Sequence, residues 1–550
     1  MPSAIADGVH IAQTFARAGM LRPSRPDRTA RALLGLHRFG PTLAAGYLGA
    51  AARYPDAPAI IDDLGTVSFA DIDRAGNAIA RGLAGYGVRP GDSVAVLCRN
   101  HRWFVAVSIA CSRLGAHALY LNTSFAGPQV SEVCAREGAT AIVHDAEFSA
   151  VVRAAAPGRA VFLADTDTDT ATDLGPGAGP QPGSGPPWGP AVATLAELAA
   201  SRSGAPLPPP EQAGRTVILT SGTTGTPKGA NRPNPASLAP AAGLLSLIPL
   251  RARETTLIAA PLFHAWGFAH MFLSTALSST LVLQRRFEPE ATLAAIAENR
   301  AQALIVVPVM LQRILELPAE RRRAHDTSSL RVIAASGSAL PGPLATRVMD
   351  AFGDVLYNLY GSTEVAWASI ASPQDLRAAP GTAGRPPRGT VVRVLDASGD
   401  ELGPGERGRI FVGSELLFDG YTGGGDKARL GNLMATGDMG HFDAAGRLFV
   451  DGRDDDMIVS GGENVFPAEI EDVLAGADGV AEVAVTGVPD ARFGQRLRAH
   501  VVPAPGAQLD EDALKALVRG RLARYKVPRE IVFVDVLPRT ATGKVLKREL

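Results

Sequence analysis

The sequence predicts an α/β protein with a large N-terminal domain, rich in parallel sheet, and a small mobile C-terminal α/β domain. Two observations support this fold class. Apolar runs typical of buried strands alternate with helical patterns over residues 93–145 and again over 217–394, as in parallel sheets. A charged break at residues 452–456 then precedes a final unit, residues 463–550, whose size would allow it to fold alone.

The individual strands follow from local patterns. Residues 93–97 read Ser-Val-Ala-Val-Leu after a Pro-Gly-Asp turn and predict a buried strand. Apolar runs at 217–219, 304–307 and 331–335 predict three more, and each leads into a loop. In open α/β sheets, ligands bind beyond the carboxyl ends of such strands. Short strands are also predicted at residues 355–357, 391–395, 408–412 and 448–450.

Residues 165–211 differ in composition from both flanks. An Asp-Thr repeat is followed by a run rich in Gly and Pro, which cannot bury a core. We therefore predict a mobile surface insert, interrupted by a short helix over 193–200. The predicted domains are a helical lead-in at 1–50, a large domain at 51–455 and a mobile C-terminal domain at 456–550.

Composition excludes several classes of protein. Of the 550 residues, 46% are hydrophobic and 20% are charged, which indicates a globular protein. The net charge is -1, so the overall charge gives no reason to expect nucleic-acid binding. Cys98, Cys111 and Cys134 show no C-x-x-C spacing and predict reduced core residues of a cytoplasmic protein. Arginines in the first forty residues leave peripheral membrane contact open. A solvated lead-in is favoured because Pro23 and Pro26 interrupt the amphipathic period.

One loop, residues 220–229, has the chemistry of a phosphate cradle. It reads Thr-Ser-Gly-Thr-Thr-Gly-Thr-Pro-Lys-Gly after an apolar strand. Glycines let the backbone turn tightly around a ligand, hydroxyls donate hydrogen bonds, and a lysine adds positive charge. It is not a Walker A motif, which requires Ser or Thr directly after Gly-Lys. A flexible linker is the alternative interpretation. The candidate phosphate ligands are Thr220, Ser221, Gly222, Thr223, Thr224, Gly225 and Lys228.

A second segment places a hydroxyl next to a carboxylate after a strand. Thr363 and Glu364 follow Tyr360-Gly361-Ser362, so one side chain could contact phosphate while the other binds Mg²⁺. The alternative is a helix N-terminus with Ser362 as its cap. The sequence alone does not decide between these two interpretations.

Four further segments contain candidate functional side chains. Thr436-Gly437-Asp438 offers a carboxylate that can accept two hydrogen bonds at once, or is simply a turn. Residues 460–471 begin with a tight Gly-Gly turn, and residues 538–545 place Lys544 directly after a glycine. His264 lies in Phe-His-Ala-Trp-Gly and by itself would be a packed core histidine.

Taken together, these motifs resemble those of the adenylate-forming superfamily, in the order found there and from about residue 51 to Lys544. The resemblance implies that Lys544 is the catalytic lysine and that Thr363 contacts the α-phosphate. It places His264 near the reacting carboxylate, makes Glu364 the Mg²⁺ ligand and makes Asp455 the hinge. Other nucleotide-binding residues implied are Gly337, Ser338, Ala339, Asn358, Tyr360, Gly361, Ser362, Asp438 and Arg453. The implied loop of the CoA step is Ser460, Gly461, Gly462 and Glu463, and the implied acyl pocket contains Ala265, Trp266, Gly267 and Val365.

The same resemblance implies a two-step ligase that uses ATP, Mg²⁺ and CoA. A medium- or long-chain fatty acid would first form an acyl-adenylate and then an acyl-CoA thioester, with the small domain rotating about Asp455 between the steps. Three alternatives stay open: another acid, including an aryl acid; transfer to a separate carrier protein; and a nonenzymatic nucleotide-binding protein. A homodimer is also left open.

Overall fold

The computed structural model describes residues 4–22, 24–165, 193–219, 228–232, 237–422, 424–454, 458–460, 463–490, 494–540 and 543–550. These form two compact units. Unit 1 comprises Met1–Val306, Ala319–Val332 and Glu415–Asp426, and unit 2 comprises Val307–Pro318, Ile333–Ser414 and Lys427–Leu550. The predicted border at Asp455 lies outside the described residues and stays a prediction.

Helices occur along the whole chain, as the alternating pattern predicted. None in the described residues combines the length and apolar character needed to cross a bilayer. Their bounds are α1 Ala4–Arg17, α2 Pro26–Phe39, α3 Leu43–Arg53, α4 Phe69–Gly85, α5 Arg102–Leu114, α6 Gly127–Arg136, α7 Ser149–Val152, α8 Leu195–Ser201, α9 Ala239–Leu247, α10 Ala265–Leu277, α11 Pro289–Asn299, α12 Pro308–Glu316, α13 Ala319–Arg323, α14 Gly342–Phe352, α15 Pro373–Ala378, α16 Pro467–Ala475 and α17 Glu511–Arg521.

The strands agree closely with the apolar runs of the sequence. The run at 93–97 is a strand with the predicted bounds. The strands are β1 Pro58–Asp62, β2 Gly65–Ser68, β3 Ser93–Leu97, β4 His117–Tyr120, β5 Ala139–Asp145, β6 Ala160–Asp165, β7 Thr216–Leu219, β8 Gly229–Arg232, β9 Thr255–Ile258, β10 Thr280–Leu283, β11 Ala303–Val306, β12 Val332–Ala335, β13 Leu356–Ser362, β14 Ala366–Ala371, β15 Val391–Leu395, β16 Gly408–Gly413, β17 Arg429–Leu430, β18 Leu433–Phe442, β19 Leu448–Arg453, β20 Ile458–Ser460, β21 Glu463–Val465, β22 Val480–Asp490, β23 Gly494–Pro503 and β24 Glu530–Phe533.

Unit 1 contains the predicted parallel sheet. Its six-stranded sheet has the order β6-β5-β3-β4-β7-β8, and all neighbours are parallel except β7 and β8. A second set of strands has the order β11-β9-β10-β1-β2, antiparallel only between β1 and β2. The helices pack closely around these sheets at small residues. A Cβ on Gly76 of α4, for example, would lie 2.5 Å from Ile109 Cγ2 of α5.

Unit 2 is built mainly from antiparallel strands. β12 and β13 are parallel, and β14 returns antiparallel to β13. A five-stranded sheet has the order β15-β16-β18-β17, with β19 paired to β18. The last sheet has the order β21-β20-β23-β22, with β24 parallel to β23. Residues 458–531 share their own buried apolar cluster, which includes Val465, Ile470, Leu497 and Val518. This cluster agrees with a C-terminal segment large enough to form its own core.

The predicted mobile insert is partly a packed element. Asp165 ends strand β6, and α8 lies within the stretch predicted to be an insert. Thr194 caps this helix, and Leu198 packs so closely against α4 that a Cβ on Gly82 would lie 2.8 Å from its methyl groups. The helix predicted over 193–200 is therefore present as α8, whereas its packing against α4 was not predicted. Residues 166–192 lie outside the described residues.

The cysteines are buried in the interior, as predicted. None of the three, all of which lie in described segments, forms a disulfide. Burial raises the pKa of the Cys111 thiol to about 12. Cys98 lies beside His101 and Asp145, where His101 Nε2 contacts Asp145 Oδ1 at 2.8 Å and His101 Nδ1 accepts a bond from the Trp103 amide. These internal bonds anchor the start of α5.

Candidate active site

The centre of the site in unit 2 is the Asp438 carboxylate on β18. Asp438 pairs with Arg453 across the β18–β19 ladder, and Arg453 Nε lies 3.9 Å from Asp438 Oδ1. The Tyr360 hydroxyl on β13 donates to Asp438 Oδ2 at 2.5 Å. The Asp438 amide donates to Thr436 Oγ1 at 3.0 Å, which fixes the turn at Gly437. The structure therefore brings together three of the predicted nucleotide-binding residues.

Burial and the neighbouring positive charges shift the pKa of Asp438 in opposite directions. Burial raises the pKa of its carboxyl, while the bond from Tyr360 and the positive charges of Arg453, Lys544 and Lys427 act to lower it. The pKa of Tyr360 is raised well above its usual value by burial and by the neighbouring carboxylate. Tyr360 is therefore a neutral hydrogen-bond donor, suited to holding a carboxylate that accepts at both oxygens.

Lys427 is a basic residue that the sequence analysis did not identify. Its Nζ lies 3.5 Å from the Thr436 carbonyl oxygen and 3.3 Å from the position that a Cβ on Gly437 would occupy. Gly437 has φ +86°, which suits glycine, and a side chain there would also meet Arg453. Lys427 belongs to no recognisable motif, so only the fold associates it with Asp438.

Thr363 and Glu364 lie in a strand-to-strand turn, so the alternative of a helix N-terminus is wrong. β13 ends at Ser362 and β14 begins at Ala366, antiparallel to it. Ser362 Oγ accepts from the Glu364 amide at 3.2 Å and from the Val365 amide at 3.4 Å. Thr363 and Glu364 are half-buried in this turn, whereas Val365 is fully buried. The turn thus presents a hydroxyl and a carboxylate side by side, and a carboxylate oxygen is a suitable Mg²⁺ ligand.

The segment predicted to border adenine follows β12, next to β13. Ala335 pairs with Asn358 in the parallel ladder, and Gly337 has φ +96° and is exposed together with Ala339. Asn358 is buried, and its Oδ1 has no hydrogen-bond partner among the described residues. A buried amide without a partner is costly, so Asn358 suits a ligand that supplies hydrogen-bonding groups, as adenine does.

Lys544 lies at the end of a tight turn in unit 2. The Thr540 amide donates to the Lys544 carbonyl at 2.8 Å, and the Lys544 amide donates to Thr540 Oγ1 at 3.1 Å. Arg539 supports the turn, since it donates to the Gly543 carbonyl at 2.5 Å and pairs with Glu482 at 2.6 Å. Lys544 itself is half-buried and acts electrostatically on Asp438.

The N-terminal end of α12, with its N-cap Val307, contacts both the Lys544 turn and the Gly337 turn. A Cβ on Gly543, which has φ +79°, would lie 2.3 Å from Val309 Cγ1. A Cβ on Gly337 would lie 3.3 Å from Val307 Cγ1. Both glycines therefore allow a close approach to α12 as well as an unusual backbone angle.

In unit 1, only part of the predicted phosphate loop is described. Thr220, Ser221, Gly222, Thr223, Thr224 and Gly225 lie outside the described residues. Lys228 is exposed, and its Nζ lies 5.2 Å from the centre of the Tyr421 ring. The Thr422 amide donates to the Gly229 carbonyl at 2.8 Å, which fixes the start of β8. Asp455, Gly461 and Gly462 are also outside the described residues, while Ser460 and Glu463 are paired in the β20–β21 ladder.

The His264 segment of unit 1 is held in place by Asn100. The Asn100 side chain donates to the Ile258 and Ala260 carbonyls and accepts from the Leu262 amide. His264 then precedes α10, and burial lowers its pKa to about 4. Its Nε2 has no hydrogen-bond partner among the residues described. His264 is therefore neutral at physiological pH and is a candidate hydrogen-bonding group for a substrate.

Aromatic side chains occupy the first turns of α10. The Trp266 indole donates to the Val306 carbonyl at 3.0 Å and packs edge-on against His270, with ring centres 4.1 Å apart. A Cβ on Gly267 would lie 2.3 Å from the Pro261 carbonyl oxygen, so this position requires glycine. Sequence analysis did not identify His270, although its spacing of four residues from Trp266 could have indicated a shared helical face.

The fold and these motifs define an adenylate-forming enzyme. The chain belongs to the AMP-binding enzyme family, which matches residues 49–422, and the AMP-binding enzyme C-terminal domain matches residues 469–544. A solved structure of the anthranilate CoA ligase AuaEII in complex with anthranoyl-AMP shares the fold, with a TM-score of 0.81 at 24% identity, over 92% of this chain and 96% of that one. The predicted fold class is therefore confirmed.

Two relatives narrow the class of adenylate-forming enzyme to acid–CoA ligases. A feruloyl-CoA synthase from an Amycolatopsis species is 35% identical over 501 residues, which cover 90% of this chain and 96% of the relative. An indoleacetate–CoA ligase from Aromatoleum aromaticum is 35% identical over 495 residues, covering 88% and 92%. The expected class, an AMP-forming acid–CoA ligase that uses ATP, Mg²⁺ and CoA, is confirmed. The expected preference for medium- or long-chain fatty acids is not supported by these relatives.

Proposed function

We propose that this protein joins an aromatic carboxylic acid to CoA through an aryl- or arylalkyl-adenylate. The observation that carries the proposal is the similarity, over nine-tenths of the chain, to relatives named for ferulate and indoleacetate. The aromatic character of α10 supports it, since Trp266 and His270 form a fixed edge-on pair and flat rings pack favourably against such side chains.

In the proposed first step, the acid attacks the α-phosphate of ATP and pyrophosphate leaves. Asp438 and Tyr360 would hold the ribose, while Asn358 and the backbone at Gly337 would contact adenine. Glu364 would bind Mg²⁺, which offsets charge on the phosphates, and Thr363 would contact the α-phosphate. Lys544 would lie between the acid and the α-phosphate, where its charge stabilises the transition state. The loop at 220–229 would hold the departing pyrophosphate.

In the proposed second step, residues 456–550 turn about Asp455, and the CoA thiol attacks the acyl carbon of the mixed anhydride, forming the thioester and releasing AMP. Ser460, Gly461, Gly462 and Glu463 would then replace Lys544 beside the intermediate. In the present arrangement Arg407, before the hinge, pairs with Glu469, after it, at 2.5 Å. This contact would have to break for the turn to occur.

The test is a substrate panel with purified protein. Pyrophosphate release would be measured with ferulate, indoleacetate, benzoate, decanoate and palmitate, each with CoA or a carrier protein as acceptor. We expect kcat/KM for the best aromatic acid to exceed that for either fatty acid by at least about tenfold, a difference of about 1.4 kcal/mol in transition-state binding. Better turnover of a fatty acid would overturn the aromatic assignment, and no pyrophosphate release with any acid would overturn the ligase itself.

A further inference from the structure

The N-terminal helices form a basic surface outside the part of the chain that matches the family. The match begins at residue 49, after α1 and α2. Residues 4–53 contain seven arginines and no lysine, against two aspartates and no glutamate. The Ala252 amide donates to the Ala18 carbonyl at 2.7 Å, which brings the exposed Arg251 and Arg253 beside the end of α1. The N-terminal helices therefore carry an excess of positive charge, and two further exposed arginines lie beside the end of α1.

Helix α2 packs against α3 through one face. A Cβ on Gly35 would lie 2.8 Å from Leu48 Cδ2 of α3, and Phe39 joins the buried cluster with Ala44 and Ala45. Arg28, near this face, donates to the Arg53 carbonyl at 3.1 Å. These contacts fix which side of the helix faces the solvent.

Three leucines lie on the opposite side of α2. Leu33, Leu34 and Leu36 are 62%, 46% and 39% exposed. At about 100° per residue, Leu33 lies roughly 160° from Gly35, and Leu34 and Leu36 lie about 100° to either side. Isolated exposed leucines need no explanation, but three on one turn form an apolar strip that water solvates poorly.

Arginines border this leucine strip. Arg31 and Arg38 are exposed. At about 100° per residue, both lie between Leu34 and Gly35 around the helix axis, next to the Leu34 edge of the strip. Asp27 is the one acidic residue of α2, and it already contacts both Arg25 and Arg31. An apolar strip with a basic border is the pattern of helices that lie in the interface of an anionic bilayer.

We propose that α2 docks this protein on anionic lipid, with Leu33, Leu34 and Leu36 entering the interface and the surrounding arginines contacting lipid headgroups. The positive charge beside the strip favours anionic lipid as the partner. A second copy of the chain docked through the same strip would bring Arg31 and Arg38 of both copies together, and like charges oppose such pairing. An anionic lipid surface instead attracts them, and the attraction weakens with salt. This contact is independent of the acid that the enzyme uses.

The experiment measures co-sedimentation of the full-length protein with vesicles of phosphatidylcholine, with and without phosphatidylglycerol. We expect at least about tenfold stronger partitioning onto the anionic vesicles at low salt, since each arginine near such a surface contributes roughly fivefold. High salt should remove most of it. Equal partitioning onto both kinds of vesicle, or none onto either, would overturn the proposal.

Matched variants test the surface itself. Leu33→Gln/Leu34→Gln/Leu36→Gln should lose at least tenfold in vesicle binding, whereas Leu64→Gln/Leu238→Gln/Leu430→Gln, at three similarly exposed leucines elsewhere, should bind like wild type. Arg31→Gln/Arg38→Gln should weaken binding more than Arg202→Gln/Arg521→Gln. CoA-ligase activity on a water-soluble acid should be unchanged in all of them.

Two further outcomes would contradict the proposal. If the leucine variant bound vesicles like wild type, the strip would not be the contact. If the wild type were a dimer by light scattering and the leucine variant a monomer, the strip would be an interface between copies, and the lipid assignment would be wrong.

Discussion

The Tyr360 hydroxyl donates a 2.5 Å hydrogen bond to Asp438 Oδ2, a residue 78 positions further along the chain, and so links β13 to β18. The other carboxylate oxygen, Oδ1, faces Arg453 at 3.9 Å. Tyrosine, carboxylate and arginine therefore form one line of polar groups across two sheets of unit 2. In the proposed function, this line holds the ribose of ATP.

Replacing Asp438 should weaken ATP binding more than replacing Tyr360. Asp438→Asn removes the charged acceptor, and hydrogen bonds to charged groups contribute about 1.5–3 kcal/mol. We expect KM for ATP to rise by about tenfold to a hundredfold. Tyr360→Phe leaves the carboxylate in place and should raise KM for ATP by less than tenfold. An equal or larger effect of Tyr360→Phe would contradict the assigned role of Asp438.

Lys544→Ala should separate the two half-reactions. Adenylation, measured as acid-dependent pyrophosphate release, should fall by at least about a hundredfold, because a charge that stabilises the transition state is lost. Thioester formation from supplied acyl-adenylate should stay within about threefold of wild type. Lys547→Ala is the matched control, since Lys547 pairs with Glu471 at 2.8 Å and has no proposed catalytic role. Equal loss of both half-reactions in Lys544→Ala would contradict the proposed domain rotation.

Gly543→Ala should impair adenylation by displacing the Lys544 turn. The new Cβ would lie 2.3 Å from Val309 Cγ1, at φ +79°. Gly506→Ala is the control, because Gly506 has φ +77° with nothing within 4 Å. Both variants incur backbone strain of about 1–3 kcal/mol, measurable as a lower melting temperature. Only Gly543→Ala should lose adenylation, and Val309→Ala should partly restore it. No restoration in the double variant would show that the clash is not the cause.

Arg407→Ala should shift the balance between the half-reactions. Arg407 pairs with Glu469 and lies 3.4 Å from Asp451, so its loss removes a contact specific to the present arrangement. Because Arg407 is partly exposed, the effect should be below about 1 kcal/mol, or up to about fivefold, in the ratio of adenylation to thioester formation. Arg393→Ala breaks a comparable pair with Glu401 that lies wholly before the hinge, and it should leave that ratio unchanged. A shift of the same size in Arg393→Ala would refute the specific role.

Asp472→Asn should stabilise the protein at neutral and alkaline pH. Neighbouring protein atoms desolvate the Asp472 carboxyl although the residue itself is exposed, and together with Glu471 and Glu469 they raise its pKa from an ordinary 3.8 to about 7. Because solvent screens an exposed carboxyl, we expect the effect on stability to stay below about 1 kcal/mol. The unfolded chain ionises this carboxyl more readily, so folding loses stability as pH rises from about 4 to about 7. The gain in unfolding free energy for Asp472→Asn should grow over that window and level off above it. Urea unfolding across pH measures it, with Asp535→Asn, at another exposed aspartate of unit 2, as the control. A gain that is independent of pH would contradict the assignment.

Much of the fold was predictable because buried strands leave a local signature. The Ser-Val-Ala-Val-Leu run at residues 93–97 is β3 with its predicted bounds, and the apolar run at 304–307 is β11 shifted by one residue. The helix α8 within residues 165–211 was found, but its packing against α4 was not, because the flanking Gly and Pro residues dominated the composition of that stretch.

The residues of the candidate site also fall into those that the sequence predicted and those that only the structure revealed. Local sequence identified Asp438, Tyr360, Asn358 and Lys544 because each lies in a motif whose residue types and order resemble a known family. Lys427 and His270 lie in no such motif. Only folding brings Lys427 next to Gly437, whereas the contact of His270 with Trp266 follows from their spacing of four residues on α10. Whether Thr363 and Glu364 begin a helix or occupy a turn was also decided by tertiary structure, since the ladder between β13 and β14 continues on both sides of them.

The sequence by itself thus determined the order of strands and helices, the family and the residues of the main motifs, because these depend on near neighbours in the chain. Tertiary structure decided which of those residues come into contact, which carboxylates are desolvated and which helix face stays exposed. The hydrogen bond from Tyr360 to Asp438 joins residues 78 positions apart, and the exposed face of α2 depends on how that helix packs against α3. Both are contacts between separate elements, which the local pattern of residues does not specify.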